Sequence, residues 1–283
     1  MIPHTHPHTG DCSHACCLKI EHLSVHIGGD TILDDINLQS RYGSGVRVMR
    51  LGEGDRIGIV GPNGAGKSTL FNAICGSFLT DSGKIILNGK NITMLPEYKR
   101  ARTIGRLFQD PMKGSAPNMS IEENLALAAG RGGWLSRVSK ADKDGFRERL
   151  SLLGMGLENR MKQHVGLLSG GQRQALTLLM ATVNTPQLLL LDEHTAALDP
   201  ATAEKVLEIT KKTVAEANIT CLMITHNMQS ALDLGNRTVM MNHGRIIFDT
   251  SGEQRKNLTV KDLLEQFKIA AGAELDNDRM LLS

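Results

Sequence analysis

Apolar positions along this chain fall in short clusters whose spacing switches between the period of a strand and that of a helix. Residues 18–20, 32–33 and 36–38 read as short strands, with Gly28-Gly29-Asp30 and Tyr42-Gly43-Ser44-Gly45 supplying turn chemistry. The run Arg56-Ile57-Gly58-Ile59-Val60 ends directly in a glycine-rich loop, as a buried parallel strand feeding a phosphate loop does. Residues 82–92 read as strand, turn and strand. From Ser120 the pattern becomes helical: Ile121, Leu125, Leu127 and Ala128 follow a serine that has Glu123 three residues later, the signature of a capping box. Residues 130–149 are polar, basic and broken by glycines, carry Trp134, and read as a variable surface segment.

A second α/β half follows. Leu188 to Leu191 and residues 220–224 are apolar strand candidates. Between them, residues 201–217 have helical spacing, with Val206, Ile209, Thr213 and Val214 on one face. A β-ribbon over residues 237–241 and 245–248 and a short amphipathic helix over 259–267 close the pattern. No internal repeat is present, and about 35 residues follow the last predicted strand, too few for an added regulatory domain.

Composition narrows the function classes. With 283 residues the chain is long enough for one large domain or two small ones. Its 32 Lys plus Arg against 30 Asp plus Glu give a net charge of +2, which argues against a protein held on nucleic acid by bulk electrostatics. Six Phe, two Tyr and one Trp leave little for stacking on single strands. No apolar run approaches the ~20 residues of a spanning helix, and the start lacks the basic and apolar regions of a signal peptide. The expectation is a soluble intracellular chain. Its His and Cys residues are unevenly placed. His4, His6, His8 and His14, with Cys12, Cys16 and Cys17, crowd the first 17 residues, whereas Cys75 and Cys221 sit among apolar neighbours and read as small buried hydrophobes.

Three motifs carry chemistry. Gly61 to Thr69 read GPNGAGKST, fitting G-x-x-x-x-G-K-[ST]. Such glycines let backbone amides turn inward as an anion nest, Lys67 can reach outer phosphates, and Ser68 can ligate Mg²⁺. Leu188 to Glu193 read LLLLDE, a buried strand ending in two carboxylates. Asp192 is placed for the Mg²⁺ shell and Glu193 for polarising an attacking water. Leu167 to Gln174 read LLSGGQRQ. Ser169 can cap the helix of Ala175, Leu176, Leu179, Met180 and Val183, with Gly170 and Gly171 leaving its first amides open. A helix start of this kind is a second anion site, which a generic phosphate-loop enzyme does not need.

Together GPNGAGKST, Gln109 of LFQDP, LSGGQ, LLLLDE, Ala197-Leu198-Asp199 and His226 of ITHN resemble the ATP-binding-cassette ATPases, in order and approximate spacing, over about residues 18–250. The resemblance implies an α/β phosphate-loop NTPase fold, with a RecA-like parallel-sheet core, an N-terminal antiparallel β subdomain and a helical signature subdomain at about 112–183. Residues 1–17 would then be a disordered tail and 251–283 a helical extension. It implies ATP and Mg²⁺ as ligands and a head-to-tail homodimer. Gly61, Pro62, Asn63, Gly64, Ala65, Gly66, Lys67, Ser68 and Thr69 of one copy would hold ATP, and Ser169, Gly170, Gly171 and Gln172 of the other would clamp it. Ser68, Gln109 and Asp192 would serve the metal, with Gln109 also coupling to a membrane partner. Asp199 would communicate between sites, and His226 would touch the γ-phosphate. Glu193, His226, Lys67 and Gln109 would be the catalytic set.

The longer strings GRLFQDPMKGSAPNMSIEENLALA and LLLLDEHTAALDP look like a subgroup of bacterial importer ATPases. Membership would imply integral-membrane permease subunits, an extracytoplasmic substrate-binding protein, an aromatic amino acid as cargo and a place on the cytoplasmic face of the membrane. An exporter subunit and a soluble cassette protein are the alternatives. His194 stands where most cassette ATPases have proline, a change this subgroup shares. Two features depart from the family. Adenine stacking is unassigned, since Ile27 stands at the aromatic position and Tyr42 lies in an extra segment, residues 39–51. Cys12, His14, Cys16 and Cys17 offer soft ligands for Zn²⁺ or Cu⁺ without the spacing of a structural zinc site, and a disordered tail is the default reading.

Overall fold

The computed structural model describes residues 17–38, 55–130 and 139–271. Strand β1 (Leu18–Ile27) and strand β2 (Asp30–Leu38) form an antiparallel hairpin. Here the sequence pattern is misleading for a physical reason. Buried positions along β1 are Leu18 and Ile20, then Leu23 and Val25, so the alternation slips by one at His22. Along β2 it slips at Asp35, between Leu33 and Ile36. Both slip residues have left-handed backbone, with φ of 50° and 51°, and the His22 Nδ1 lies 2.8 Å from Asp35 Oδ1. Bulges of this kind cut two long strands into fragments when the sequence is read by period alone.

Strand β3 (Arg56–Val60) runs into the glycine loop and helix α1 (Lys67–Cys75). Strands β4 (Ser82–Leu87) and β5 (Lys90–Asn91) complete the first sheet, in the order β2-β1-β4-β5. Helix α2 (Glu97–Arg100) leads to strand β6 (Ile104–Leu107), and then come helices α3 (Ile121–Ala128), α4 (Lys140–Ser151) and α5 (Gly170–Thr182). Strand β7 (Leu188–Asp192), helix α6 (Pro200–Glu216), strand β8 (Thr220–Ile224) and helix α7 (Met228–Leu234) alternate as in a doubly wound fold. Strands β9 (Arg237–Asn242) and β10 (Arg245–Ser251) then precede helices α8 (Glu253–Lys256) and α9 (Val260–Ala271). The second sheet has the order β10-β9-β3-β8-β7-β6, parallel throughout except for β10 at its edge. The predicted ribbon is therefore present, and its first strand also joins the parallel core beside β3.

Helices α3, α4 and α5 close over their own core, including Ile121, Leu125, Phe146, Leu150, Leu157 and Leu176. The capping box at Ser120 forms as its sequence indicates: Ser120 Oγ accepts from the Glu123 amide and Glu123 accepts from the Ser120 amide at 2.7 Å. Residues 140–151, assigned from sequence to a variable surface segment, are instead a helix that buries Phe146 and Leu150. Its missed signal is Ser139 with Asp142 three residues on, and Ser139 Oγ accepts the Asp142 amide at 3.1 Å. Trp134 lies outside the described residues, as do residues 1–16 and 39–54.

Cys17 corrects the reading of the tail. It is buried in the main core, and its thiol donates to the Gln187 carbonyl at 2.9 Å, so it belongs to the folded part rather than to a soft-ligand cluster. Cys75 and Cys221 are buried as the sequence indicates, and burial pushes the Cys221 thiol up to about 12. Among the described residues no helix is long and apolar enough to cross a membrane.

The far end of α1 is held by one buried arginine. Arg100 is 2% exposed, and its guanidinium donates to the carbonyls of Ala73, Ile74, Thr93 and Leu95 at 2.7–2.9 Å. It thereby satisfies carbonyls that the helix end leaves open and places a positive charge at the negative pole of the helix dipole. Burial holds its pKa below the usual arginine value. Replacing it strands several buried acceptors at once, each worth on the order of 1–3 kcal/mol. Arg100→Met should therefore lower the unfolding free energy by at least about 3 kcal/mol, read as a shift of the urea midpoint.

Candidate functional site

Parallel register decides where the motifs meet. Leu107 lies opposite Leu191, Asp192 opposite Ile224, and Ile224 opposite Ile59. The carboxyl ends of β6, β7, β8 and β3 are thus level, and the residues just beyond them are Gln109, Glu193, His226 and Gly61. Ligand sites of open parallel sheets lie at this edge. Four of the motifs named from sequence share it.

The loop after β3 is built by glycines at positions other residues cannot fill. Gly66 caps α1 at φ 93°, and a Cβ there would stand 2.8 Å from the Leu33 side chain and 2.9 Å from the Ile32 carbonyl. Close approach of β2 is what forbids a side chain, so the antiparallel sheet forms one wall of the loop. The Ala65 carbonyl accepts from the Gly244 amide at 3.1 Å, tying the loop to the β9–β10 turn as well. Lys67 is buried, and its ammonium donates to the carbonyls of Gly61 at 2.7 Å and Pro62 at 2.8 Å. Desolvation lowers its pKa, while the charges of Glu193 and Asp192 oppose that shift. Pro62 is partly exposed, Asn63, Gly64 and Ser68 are exposed, and Thr69 is partly covered.

Asp192 ends β7 and is nearly buried. Arg106 of β6 reaches it at 3.3 Å and lies over the Phe108 ring at 4.6 Å from the centroid. Arg106 was not singled out from sequence. Its signal is a charged residue in the middle of an apolar parallel strand, where burial demands a partner. Glu193 has a left-handed backbone, φ 45°, a conformation that costs a non-glycine residue on the order of 1–3 kcal/mol. Its amide donates to the Ile224 carbonyl at 3.0 Å, its carbonyl accepts from the Ala196 amide at 2.9 Å, and its Oε1 lies 2.6 Å from His226 Nε2. The Glu193 side chain is mostly covered and that of His226 is more open. Glu193 and His226, assigned from separate motifs, are therefore directly paired. Gln109 is exposed beyond β6.

The signature begins a different part of the molecule. Ser169 caps α5: its Oγ accepts from the Gln172 amide and the Gln172 side chain accepts from the Ser169 amide, both at 3.3 Å. Gln172 thus closes a capping box that the sequence reading did not specify. Ser169 and Gly170 are exposed. Gly171 is buried, and a Cβ there would overlap the Thr202 methyl of α6, so this glycine serves close helix packing. Asp199 caps α6 by accepting from the Thr202 amide at 3.1 Å, and its bonds to Thr202 hold its carboxyl below the usual range. Ile27 is exposed at the tip of the β1–β2 hairpin, and Tyr42 lies outside the described residues.

Comparison with known proteins gives the family and the fold. The ABC transporter family model matches residues 48–196, more than half of the chain. The chain belongs to the ABC transporter family. It is one of that family's ATP-binding, ATP-hydrolysing cassettes. A tyrosine transport ATP-binding protein of Clostridioides difficile is 43% identical over 220 residues, covering 77% of this chain and 88% of that one. The thiamine import ATP-binding protein ThiQ of Salmonella typhimurium is 33% identical over 199 residues, covering 70% and 81%. Among solved structures, MJ1267, an ATP-binding cassette of an ABC transporter, is similar with a TM-score of 0.71 at 26% identity, covering 89% of this cassette and 98% of that chain. The cbiO1 protein of Clostridium perfringens, part of a cbiONQ transporter complex, gives 0.69 at 25% identity, covering 90% and 96%. The expected fold class is therefore present: a phosphate-loop parallel core with an antiparallel sheet and a helical region carrying the signature.

One buried group near this site titrates unusually. His194 is 3% exposed, and burial lowers its pKa from 6.5 to about 4. The unfolded chain would take up a proton on this ring below about pH 6.5 while the folded cassette keeps it neutral. Its stabilising contribution is thus present above pH 6.5 and lost as pH falls toward 4, at about 1.4 kcal/mol per pH unit. Urea unfolding across this window should show a steeper loss for the native chain than for His194→Gln, which has no titrating ring.

Proposed function

We propose that this cassette is the nucleotide-binding subunit of a bacterial importer, working as a head-to-tail homodimer beneath separate permease subunits on the cytoplasmic face of the membrane. The observation that carries the reading is the level edge of four strands, which joins the phosphate loop, Asp192, Glu193 and His226, while an exposed capped helix at Ser169 stands ready on another part of the surface. One copy holds the phosphates in the loop from Gly61 to Thr69. The other presents Ser169, Gly170 and Gln172 to the same nucleotide, with Gly171 setting the helix behind them. The relatives named for tyrosine transport and thiamine import support the importing direction, and the first of them supports an aromatic amino acid as cargo delivered by an extracytoplasmic binding protein.

The donors around the loop suit Mg²⁺. Ser68 offers a hydroxyl, Asp192 a carboxylate and Gln109 an amide carbonyl, all hard oxygens. When bound, the ion neutralises charge on the phosphates. The rest falls to the chain's own groups. Lys67 exchanges the Gly61 and Pro62 carbonyls for phosphate oxygens, keeping its charge through the nearby carboxylates. Glu193 accepts a hydrogen bond from the attacking water and turns its oxygen toward phosphorus, and His226, whose Nε2 is held by Glu193 before nucleotide binds, turns to donate toward the γ-phosphate once it is bound.

Coupling would use the groove of about 540 Å³ lined by Arg102, Arg106, Phe108, Leu127 and Met180 among others, whose Phe108 directly precedes Gln109 in the chain. Leu127 is 49% exposed there, an apolar contact suited to a permease segment. With Glu193→Gln, ATP binding should persist, turnover should fall by at least about a hundredfold, and ATP-dependent dimers should accumulate in sedimentation. Hydrolysis at the native rate would refute Glu193 as the base.

A further inference from the structure

We infer that His194 is a positioning residue for hydrolysis, a pin that runs from the base to the third turn of α6. The turn after β7 sends consecutive side chains in opposite directions: Glu193 to the His226 side of the sheet edge, His194 into the interior at 3% exposure. The His194 Nε2 lies 3.2 Å from the Thr210 Oγ1, and Thr210 is fully buried. Thr210 has one hydroxyl proton, and it goes to the Val206 carbonyl at 2.8 Å. The Thr210 oxygen is thus an acceptor, and the proton between the two side chains belongs to His194 Nε2. The bond has a defined direction and a defined tautomer.

This bond acts on the part of the site under most backbone constraint. Glu193 is left-handed, its amide is spent on the Ile224 carbonyl, and its carbonyl is spent on the Ala196 amide. The next residue is the only one of the pair anchored by its side chain to α6, whose first turn is capped by Asp199. With the bond in place, the strained turn carrying the base moves as one piece with α6. With it broken, the turn can relax toward an ordinary backbone region and swing the carboxylate out of line. Placement errors of about 1 Å at a reacting group cost on the order of a hundredfold in rate.

The inference rests on Glu193 acting as the base, and the experiment separates the two. Steady-state ATPase and equilibrium ATP binding are measured on full-length His194→Leu, His194→Gln, Thr210→Val and Thr210→Ser, with Glu193→Gln as reference. His194→Leu fills the site without a donor, and Thr210→Val keeps the shape without an acceptor. Both should lower kcat by about ten- to a hundredfold and leave the ATP KM within about twofold. His194→Gln, which restores an N–H near Nε2, and Thr210→Ser, which restores the hydroxyl, should each recover most of the rate. The Leu/Val double variant should be no worse than either single one. Native kcat in folded His194→Leu, or a Gln variant as slow as the Leu variant, would overturn the pin. If Glu193→Gln itself turns over at the native rate, the base assignment falls instead.

Discussion

Ladder hydrogen bonds between β6, β7, β8 and β3 set Leu107 opposite Leu191, and Asp192, Ile224 and Ile59 at one level, and the chemistry proposed for the cassette follows from that alignment. In a parallel sheet a register is shared by every strand, so a motif displaced by one residue would face the opposite side of the sheet. These strands are buried on both faces, as the unbroken burial of β7 and β8 shows, and apolar packing on each side fixes the register. Residues from four distant stretches of chain can then meet without any long loop having to find its partner. The antiparallel sheet depends on the same frame, because β2 presses on Gly66 and the β9–β10 turn bonds to Ala65.

Much of this was legible in the sequence, for reasons that differ by element. The phosphate loop, the β7 carboxylates and the capping box at Ser120 are local: backbone freedom of glycine, strand-end acidity and side-chain-to-amide bonding all act within a few residues. The pattern stops β1 at Ile20 and splits β2 in two because bulges at His22 and Asp35 shift the period, which a period-based reading does not see. Helix α4 was missed because its composition is polar and only Phe146 and Leu150 face inward. Arg106 on Asp192 and His226 on Glu193 are pairings across the sheet, and no single segment announces them. The burial of Cys17 is likewise set by what packs over it, not by its neighbours in the tail.

Charge at the site is balanced before any nucleotide arrives. Asp192 and Glu193 stand against Lys67 and Arg106, Glu193 is also paired with His226, and the loop carbonyls of Gly61 and Pro62 hold the lysine ammonium. On the function proposed above, a polyphosphate entering this edge would replace bonds already made rather than fill a void, which is how a preorganised anion site limits reorganisation. His194 extends the same economy inward. Where a proline would restrain the backbone through its ring, this chain restrains it through a side-chain bond to α6.

The central claim is that a nucleotide held at this edge is completed by the Ser169 helix of a second copy. Site-directed cross-linking tests it most directly: in a Glu193→Gln background with Cys12 and Cys16 replaced by Ser, one chain carries Asn63→Cys and another Ser169→Cys, and a short bis-maleimide is added. The account predicts covalent pairs that form only when both variants are mixed and ATP is present. Absence of ATP-dependent pairs from the mixture, or efficient linkage within a single chain bearing both cysteines, would contradict it.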